Sequence, residues 1–224
     1  DRLDMIASGP ACVDTSTTAE ALGLAERYHL RLSEQAMTLL RQPLPTSLPH
    51  VENHMCGSVS QLCATAAQVC RQLGYRPELV TDRLDCEAKD AGTMLAGLLR
   101  QHAGSRESLA FIAGGETVVK LTGHGKGGRN QELALSAAAG ISGMENVAVF
   151  SVGSDGTDGP TDAAGGYVDG ATAARLEALG LSIPAMLAEN DAYHALRAVD
   201  GLIITGPTGT NVNDLSVALL RPTE

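Results

Sequence analysis

From residue 109 onward one pattern recurs: a short apolar run, then a polar loop rich in glycine, then a stretch of helical character. Leu109 to Ala113 and Val147 to Val152 are continuous apolar runs of the length that buried strands take, and Leu202-Ile203-Ile204 and Leu215 to Leu220 supply two more. Leu133 to Ala139 suits a helix. Repetition of strand, loop and helix specifies an α/β protein built as a three-layer, sandwich-like stack, with its loops gathered at the carboxyl ends of the strands. Between the first two strands, Thr117 to Thr122 mixes apolar and polar positions, as a half-solvated or edge strand does.

The first half follows the same grammar less densely. Asp14 to Thr18 supplies N-cap residues for a helix through Ala19 to Tyr28, and Ser33 to Leu40 is a second helical stretch before the loop containing Pro43, Pro45 and Pro49. A short strand at Val51 to Met55, a helix from Ser60 to Leu73 ended by Gly74, and a strand at Glu78 to Thr81 read as a parallel βαβ unit. Cys63, Val69 and Cys70 are expected on the buried face of that helix. Glu87 to Gln101 is another helix, with Met94, Leu95, Leu98 and Leu99 as core, and the polar segment Gln101 to Ser108 is the candidate domain boundary. Helix from Gly170 to Leu179 and a helix capped by Asn190-Asp191 and running through Arg197 complete the pattern. No repeat of solenoid period is present.

Composition excludes several classes. Aromatic residues are 3% of the chain and Trp is absent, which removes aromatic stacking as the mode of recognition. A net charge of −10 argues against a nucleic-acid partner, since phosphate neutralisation needs clustered Lys and Arg. The cysteines Cys12, Cys56, Cys63, Cys70 and Cys86 lack CxxC spacing and read as reduced thiols of a cytoplasmic protein. No apolar run is long enough for a membrane helix and no signal peptide is visible. The chain opens at Asp1 in mid-pattern, which reads as the continuation of a longer protein. A homo-oligomer is left open.

The chemistry concentrates in the polar loops. Gly123, Gly125, Gly127 and Gly128 precede Arg129-Asn130-Gln131-Glu132 and the helix beyond. Glycines allow positive φ and close approach to a ligand, and a helix N-terminus offers N–H groups and a positive dipole to an anion. Asp155, Asp158 and Asp162 offer carboxylates, of which one or two suffice for Mg²⁺ beside phosphate oxygens; Asx-turns are the plainer reading of them. The loop Gly206-Pro207-Thr208-Gly209-Thr210-Asn211 has the hydroxyls and glycines of an anion nest. Gly123, Gly125 and Gly128 also satisfy G-x-G-x-x-G, so an NAD(P)H site stands as an alternative. His124 lies within the loop, where solvation accounts for it equally well. His50 and His54 sit four apart in a loop and make a poor metal pair.

Five stretches, taken together, carry a resemblance: Gly114 to Thr117, Gly127 to Glu132, Gly153 to Asp162, Asn190 to Tyr193, and Gly206 to Asp214. With Ile6 to Pro10 and Asp82 to Glu87, they resemble the glycerate 2-kinase family, whose C-terminal half is called MOFRL. The resemblance implies a partial N-terminal Rossmann-like domain at residues 1–105 and a C-terminal α/β MOFRL domain at 106–224. It also implies phosphorylation of D-glycerate at its 2-hydroxyl with ATP and Mg²⁺, in a cleft between the two domains. Many relatives carry the older name hydroxypyruvate reductase, often in tartrate-degradation operons, which makes hydroxypyruvate with NAD(P)H the alternative. A non-catalytic ligand-binding domain is the third reading.

Carried over, Arg129 is the candidate for stabilising transferring phosphoryl charge. Asp155 and Asp158 are candidates for the metal or the hydroxyl. Ser8, Glu116 and Asn130 are expected to line the cleft, with Gly125, Gly127, Gly128, Glu132, Gly206, Thr208, Gly209, Thr210 and Asn211 binding substrate or nucleotide. Family members are longer and carry a Gly-Lys-Ala lysine that none of Lys89, Lys120 and Lys126 reproduces. The expectation is that residues 1–224 alone do not turn over.

Overall fold

The computed structural model describes residues 3, 4, 9 and 11–222, so the candidate Ser8 lies outside the described residues. The chain forms two compact units, Asp1–Cys56 and Gly57–Glu224. The division therefore falls ahead of the polar segment Gln101 to Ser108, and residues 57–105 fold together with all that follows.

In the first unit, α1 (Thr18–Arg27) begins with a full capping box. The Glu20 amide donates to Thr17 Oγ1 at 3.2 Å, and the Thr17 amide donates to Glu20 Oε2 at 2.7 Å. Ser33 caps α2 (Glu34–Leu40) through the Ala36 amide. Val51 to Met55 is not the expected strand. Every one of its residues is exposed, so its apolar side chains have no surface to bury against and no partner strand pairs with it.

The second unit is a six-stranded sheet with helices on both faces. Its elements are α3 (Val59–Gln72), β1 (Arg76–Leu84), α4 (Ala88–Gln101), β2 (Leu109–Gly115), α5 (Arg129–Gly140) and β3 (Val147–Gly153). They continue with β4 (Gly165–Asp169), α6 (Thr172–Ala178), α7 (Ile183–Ala188), α8 (Ala192–Ala198), β5 (Leu202–Ile203) and β6 (Asp214–Leu220). The strand order is β1-β2-β6-β3-β4-β5. Only β1 and β2 pair in parallel, so the βαβ unit is β1-α4-β2 rather than one beginning at Val51.

β2 is buried on both faces, and alternation sends its side chains to two cores. Ala110 and Ile112 meet Val59, Cys63 and Cys70 of α3, while Phe111 and Ala113 join Leu95, Leu99, Leu133 and Val149. Val69, expected beside the two cysteines, is 46% exposed; it falls off the stripe that α3 turns to the sheet. Met94 and Leu98 pack against the core from its margin. Thr117 to Thr122 forms no strand, only an isolated bridge from Val118 to Glu87. Two elements escape the sequence reading: β4, whose run is only Gly165-Gly166-Tyr167-Val168-Asp169, and the single turn and a half of α7.

The antiparallel returns still gather the loops. β6 lies between β2 and β3, and its first residue, Asp214, stands opposite both Gly115 and Gly153. The segment leaving β2, the β3–β4 connection and the loop entering β6 thus share one edge of the sheet. Among the described residues no helix is long and apolar enough to cross a membrane.

α4 and α5 pack so closely that a Cβ on Gly92 would strike the Leu133 carbonyl and Ser136, whereas Gly97 of the same helix faces open space. Helix propensity alone favours alanine at both by about 1 kcal/mol, but overpacking costs about 1–3 kcal/mol. Urea denaturation should show Gly97→Ala stabilising and Gly92→Ala destabilising; a stabilised Gly92→Ala protein would refute this packing.

Candidate active site

α5 positions the site, and it is an unusual helix because Asn130 through Ala138 are all buried. The Asn130 and Gln131 amides of its first turn are therefore cut off from water and need acceptors. The N-cap residue is Gly128, which has no side chain to give. Asp158, from the β3–β4 connection, fills the space that a Gly128 Cβ would occupy. Its Oδ1 accepts from the Asn130 amide at 3.1 Å and from Asn130 Nδ2 at 3.2 Å. Its Oδ2 accepts from the Gln131 amide at 2.9 Å and from Gln131 Nε2 at 3.0 Å. Four donors saturate the four lone-pair positions of a carboxylate. Asp158 thus serves the end of α5, and no lone pair remains for a metal ion. Burial pushes its carboxyl up, against the pull of those four donors.

Arg129, the first residue of α5, faces the sheet edge. Its Nε and Nη2 donate to Asp214 Oδ2 and Oδ1 at 2.5 and 3.1 Å, a bidentate pair, and Nη1 lies 3.2 Å from Glu116 Oε1. The Asp214 hydrogen bonds, outweighing burial, raise the pKa of the guanidinium. Beneath it, Ser151 donates to Asn130 Oδ1 at 2.5 Å and bonds Ser216 at 2.7 Å, a buried polar chain across β3 and β6. Asn130 is 1% exposed. It therefore braces Asp158 and Ser151 and does not line a cleft, as had been expected of it.

Above α5 lies a cavity of about 900 Å³. Glu116, Gly125, Gly127, Gly128, Arg129, Glu132 and Asp158, all candidates from the sequence, line it, and Val118, Val119, Leu121 and Asn190 add a wall. No acceptor among the described residues takes the N–H groups of Gly127, Gly128 or Arg129. None of Gly123, Gly125, Gly127 and Gly128 adopts positive φ. Cβ atoms on Gly123 and Gly125 would instead collide with Glu189 and Asp191, so these glycines admit the turn between α7 and α8. A dinucleotide fingerprint needs a strand before its glycines and a free helix N-terminus after them. Here the preceding segment is not a strand and Asp158 occupies the helix end.

Glu132 is nearly enclosed. Asn190 Nδ2 donates to its Oε2 at 3.0 Å and Lys89 Nζ stands 3.8 Å from Oε1. Burial pushes its carboxyl up, with Asn190 and Lys89 pulling against.

Asp155 and the 206–211 loop line no part of this cavity. Asp155 Oδ1 accepts from the Thr157 amide, the Asx-turn reading. Thr208 donates through its amide to the Asp155 carbonyl and through Oγ1 to the Ser154 carbonyl, which fastens this loop to the β3–β4 connection. Gly206 and Gly209 have positive φ. The Thr210 amide bonds Thr208 Oγ1 at 3.4 Å, and Asn211 Oδ1 accepts from Asn213. A Cβ on Gly153 would lie 3.1 Å from Asp155 Oδ1 and 3.6 Å from Asp214 Oδ1. His124 is exposed, as are His50 and His54. No group of three or more His, Cys, Asp or Glu among the described residues is placed to hold a metal.

Asp214, Asn190 and Lys89 are the residues that sequence reasoning missed. Asp214 and Asn190 stand inside family motifs, yet their partners lie far away in sequence, and only the fold joins them.

The MOFRL family matches residues 109–214, and a domain of unknown function, DUF4147, matches residues 1–41. A D-glycerate 2-kinase of Thermotoga maritima is 48% identical over 224 residues, covering 98% of this chain and 54% of its own length. A glycerate kinase of Macaca fascicularis is 31% identical over 276 residues, covering 99% of this chain and 70% of its own length. A relative from Agrobacterium vitis, 35% identical over 96% of this chain and 58% of its own length, carries a hydroxypyruvate reductase name. The crystal structure of a glycerate kinase from Thermotoga maritima superposes with a TM-score of 0.90 at 47% identity, over 98% of this chain and 54% of that one. The chain thus spans about half the length of the Thermotoga relative.

Two predictions follow from the α5 terminus. Asp158→Ala leaves buried donors without an acceptor and should cost at least about 3 kcal/mol of stability in chemical denaturation; a loss below about 1 kcal/mol would contradict the capping role. For Glu132, a raised folded-state pKa means that its contribution is complete below the unfolded value of about 4.3. That contribution is lost as pH rises through the folded value. The stability of the wild type relative to Glu132→Gln should therefore fall with rising pH across that window and then level off. A difference that grows with pH would reverse the assignment.

Proposed function

The chain belongs to the glycerate kinase family, and on that premise we propose that the protein carrying it transfers the γ-phosphoryl group of ATP to the 2-hydroxyl of D-glycerate. The observation that carries this reading is the Arg129 guanidinium at the cavity, clamped by Asp214 next to three amides without acceptors. In phosphoryl transfer the glycerate oxygen bonds to phosphorus as the bond to the ADP oxygen breaks, and the hydroxyl proton is released. Little covalent chemistry falls to the protein, whose task is to position the groups and stabilise spreading negative charge.

A guanidinium held from one side by a buried carboxylate keeps its orientation while its outer edge meets an anion. Glu116, more than half exposed, is the partner that gives way to the incoming phosphate. The amides of Gly127, Gly128 and Arg129, which no acceptor among the described residues takes, add donors beside the guanidinium. Of the two carboxylates expected to hold Mg²⁺, Asp158 has no free lone pair, and Asp155, which accepts only from the Thr157 amide, is the one that fits. Bound there, the ion would neutralise phosphate charge.

The NAD(P)H reading loses its sequence support, because the segment before the glycines is not a strand. The five free cysteines suit a reducing compartment, and we place the protein in the cytoplasm.

A coupled assay on the intact protein should show glycerate-dependent ADP release; hydroxypyruvate-dependent NADH oxidation without it would sink the proposal. Arg129→Ala should lower kcat by about 10²–10³ with the fold retained. Asp214→Asn should lower kcat less, since the guanidinium stays but loses its fixed angle. Near-normal turnover in Arg129→Ala would remove α5 from the mechanism.

A further inference from the structure

The wall formed by residues 117–125 has no place in the sheet, yet it shapes one side of the cavity through Val118, Val119, Leu121, Gly123 and Gly125. Its stretch from Lys120 to Gly123 is held by one side chain. Asn190 Oδ1 accepts from the Thr122 amide at 2.7 Å and the Gly123 amide at 2.9 Å. Asn190 Nδ2 donates to the Lys120 carbonyl at 3.1 Å and to Glu132 Oε2 at 3.0 Å. Both amide hydrogens and both lone pairs are thereby used. The same residue has φ +54, a conformation that asparagine tolerates and most side chains do not. It is 6% exposed.

Neighbouring bonds support the same junction. Thr122 Oγ1 donates to the Ala188 carbonyl at 2.7 Å, the Gly125 amide to the Glu189 carbonyl at 2.7 Å, and the Lys126 amide to Asp191 Oδ1 at 2.9 Å. All of these join the segment to the α7–α8 turn. Among the described residues, only Asn190 also ties it by hydrogen bonds to α5, the helix that carries Arg129.

We infer that Asn190 is a positioning residue that fixes the cavity wall at Lys120 to Gly123 relative to α5, through its bond to Glu132, and so sets substrate affinity. It touches the wall and the helix, and acts on the substrate through them. The chemistry of the link is directional. Glu132 can only accept here, and Asn190 is the neutral donor that suits it. A carboxylate at position 190 would still accept from Thr122 and Gly123, but it would turn its second oxygen on Glu132 and on the Lys120 carbonyl. A glycine would keep the backbone conformation and lose the whole link.

The test is made on the intact protein, with amide hydrogen exchange and steady-state kinetics read together; only the kinetic arm rests on the proposed kinase activity. In Asn190→Gly, exchange at Thr122 and Gly123 should speed up about tenfold or more, while amides of α5, β2 and β3 stay as they were. The KM for ATP or for glycerate should rise about tenfold with kcat nearly kept. Asn190→Asp should loosen the same two amides, and adding Glu132→Gln should restore their protection, because the glutamine amide then donates across the junction. A role confined to backbone conformation would show no such rescue.

Unchanged exchange at Thr122 and Gly123 would overturn the inference. So would faster exchange spread evenly through α5 and the sheet, unchanged KM values in Asn190→Gly, or failure of the Glu132→Gln rescue. If the wild type phosphorylates no glycerate, the proposed function falls, and the exchange and rescue results still decide the role of Asn190.

Discussion

The buried N-terminus of α5 is the constraint on which the site depends. A helix end enclosed by protein leaves N–H groups that water cannot reach, and each one left unmade costs on the order of 1–3 kcal/mol. Asp158 meets that demand from a loop almost thirty residues away. The consequence is geometric. Once Asp158 is seated, the β3–β4 connection is fixed against α5, Gly128 has no room for a side chain, and the first residue of the helix, Arg129, is turned to the sheet edge. One carboxylate thus converts a packing problem into a defined orientation for the cation.

Charge bookkeeping at the edge then follows. Arg129 meets Asp214 and Glu116, but the two partners differ in burial: Asp214 is 7% exposed and Glu116 56%. The buried pair persists because separating it would strand a charge away from water. The exposed pair is worth little, since solvent competes for both partners. Solvent therefore loosens Glu116 far more readily than Asp214. The same asymmetry gives a fixed inner hinge and a free outer edge to a single side chain.

Much of the architecture was legible because its signals are local. The strands at 109–115 and 147–153 are continuous apolar runs, α5 follows its glycines, and Ser33 and Thr17 mark helix starts by their own side chains. Val51 to Met55 and Thr117 to Thr122 misled because local propensity cannot say whether a partner strand exists. β4 was invisible because two of its five residues are glycine and its stability comes from pairing with β3. In the site, the glycines were expected to take positive φ and to let a ligand approach, whereas none has positive φ and what approaches them is the α7–α8 turn and Asp158. The glycine pattern fixes that something comes near, and only tertiary structure says what.

The partnerships that matter here are long-range: Arg129 with Asp214, Asn130 with Asp158, Glu132 with Asn190. Three of the first four residues of α5 each reach a different element, the start of β6, the β3–β4 connection and the α7–α8 turn. A helix turns about 100° per residue, so the side chains of its first turn spread to different sides. On an exposed helix two of those sides would be solvent. Burial of α5 on all sides makes each direction meet protein, and its polar first turn becomes a three-way joint instead of a surface cap. The motif Gly-Gly-Arg-Asn-Gln-Glu is therefore best understood as the code for that joint.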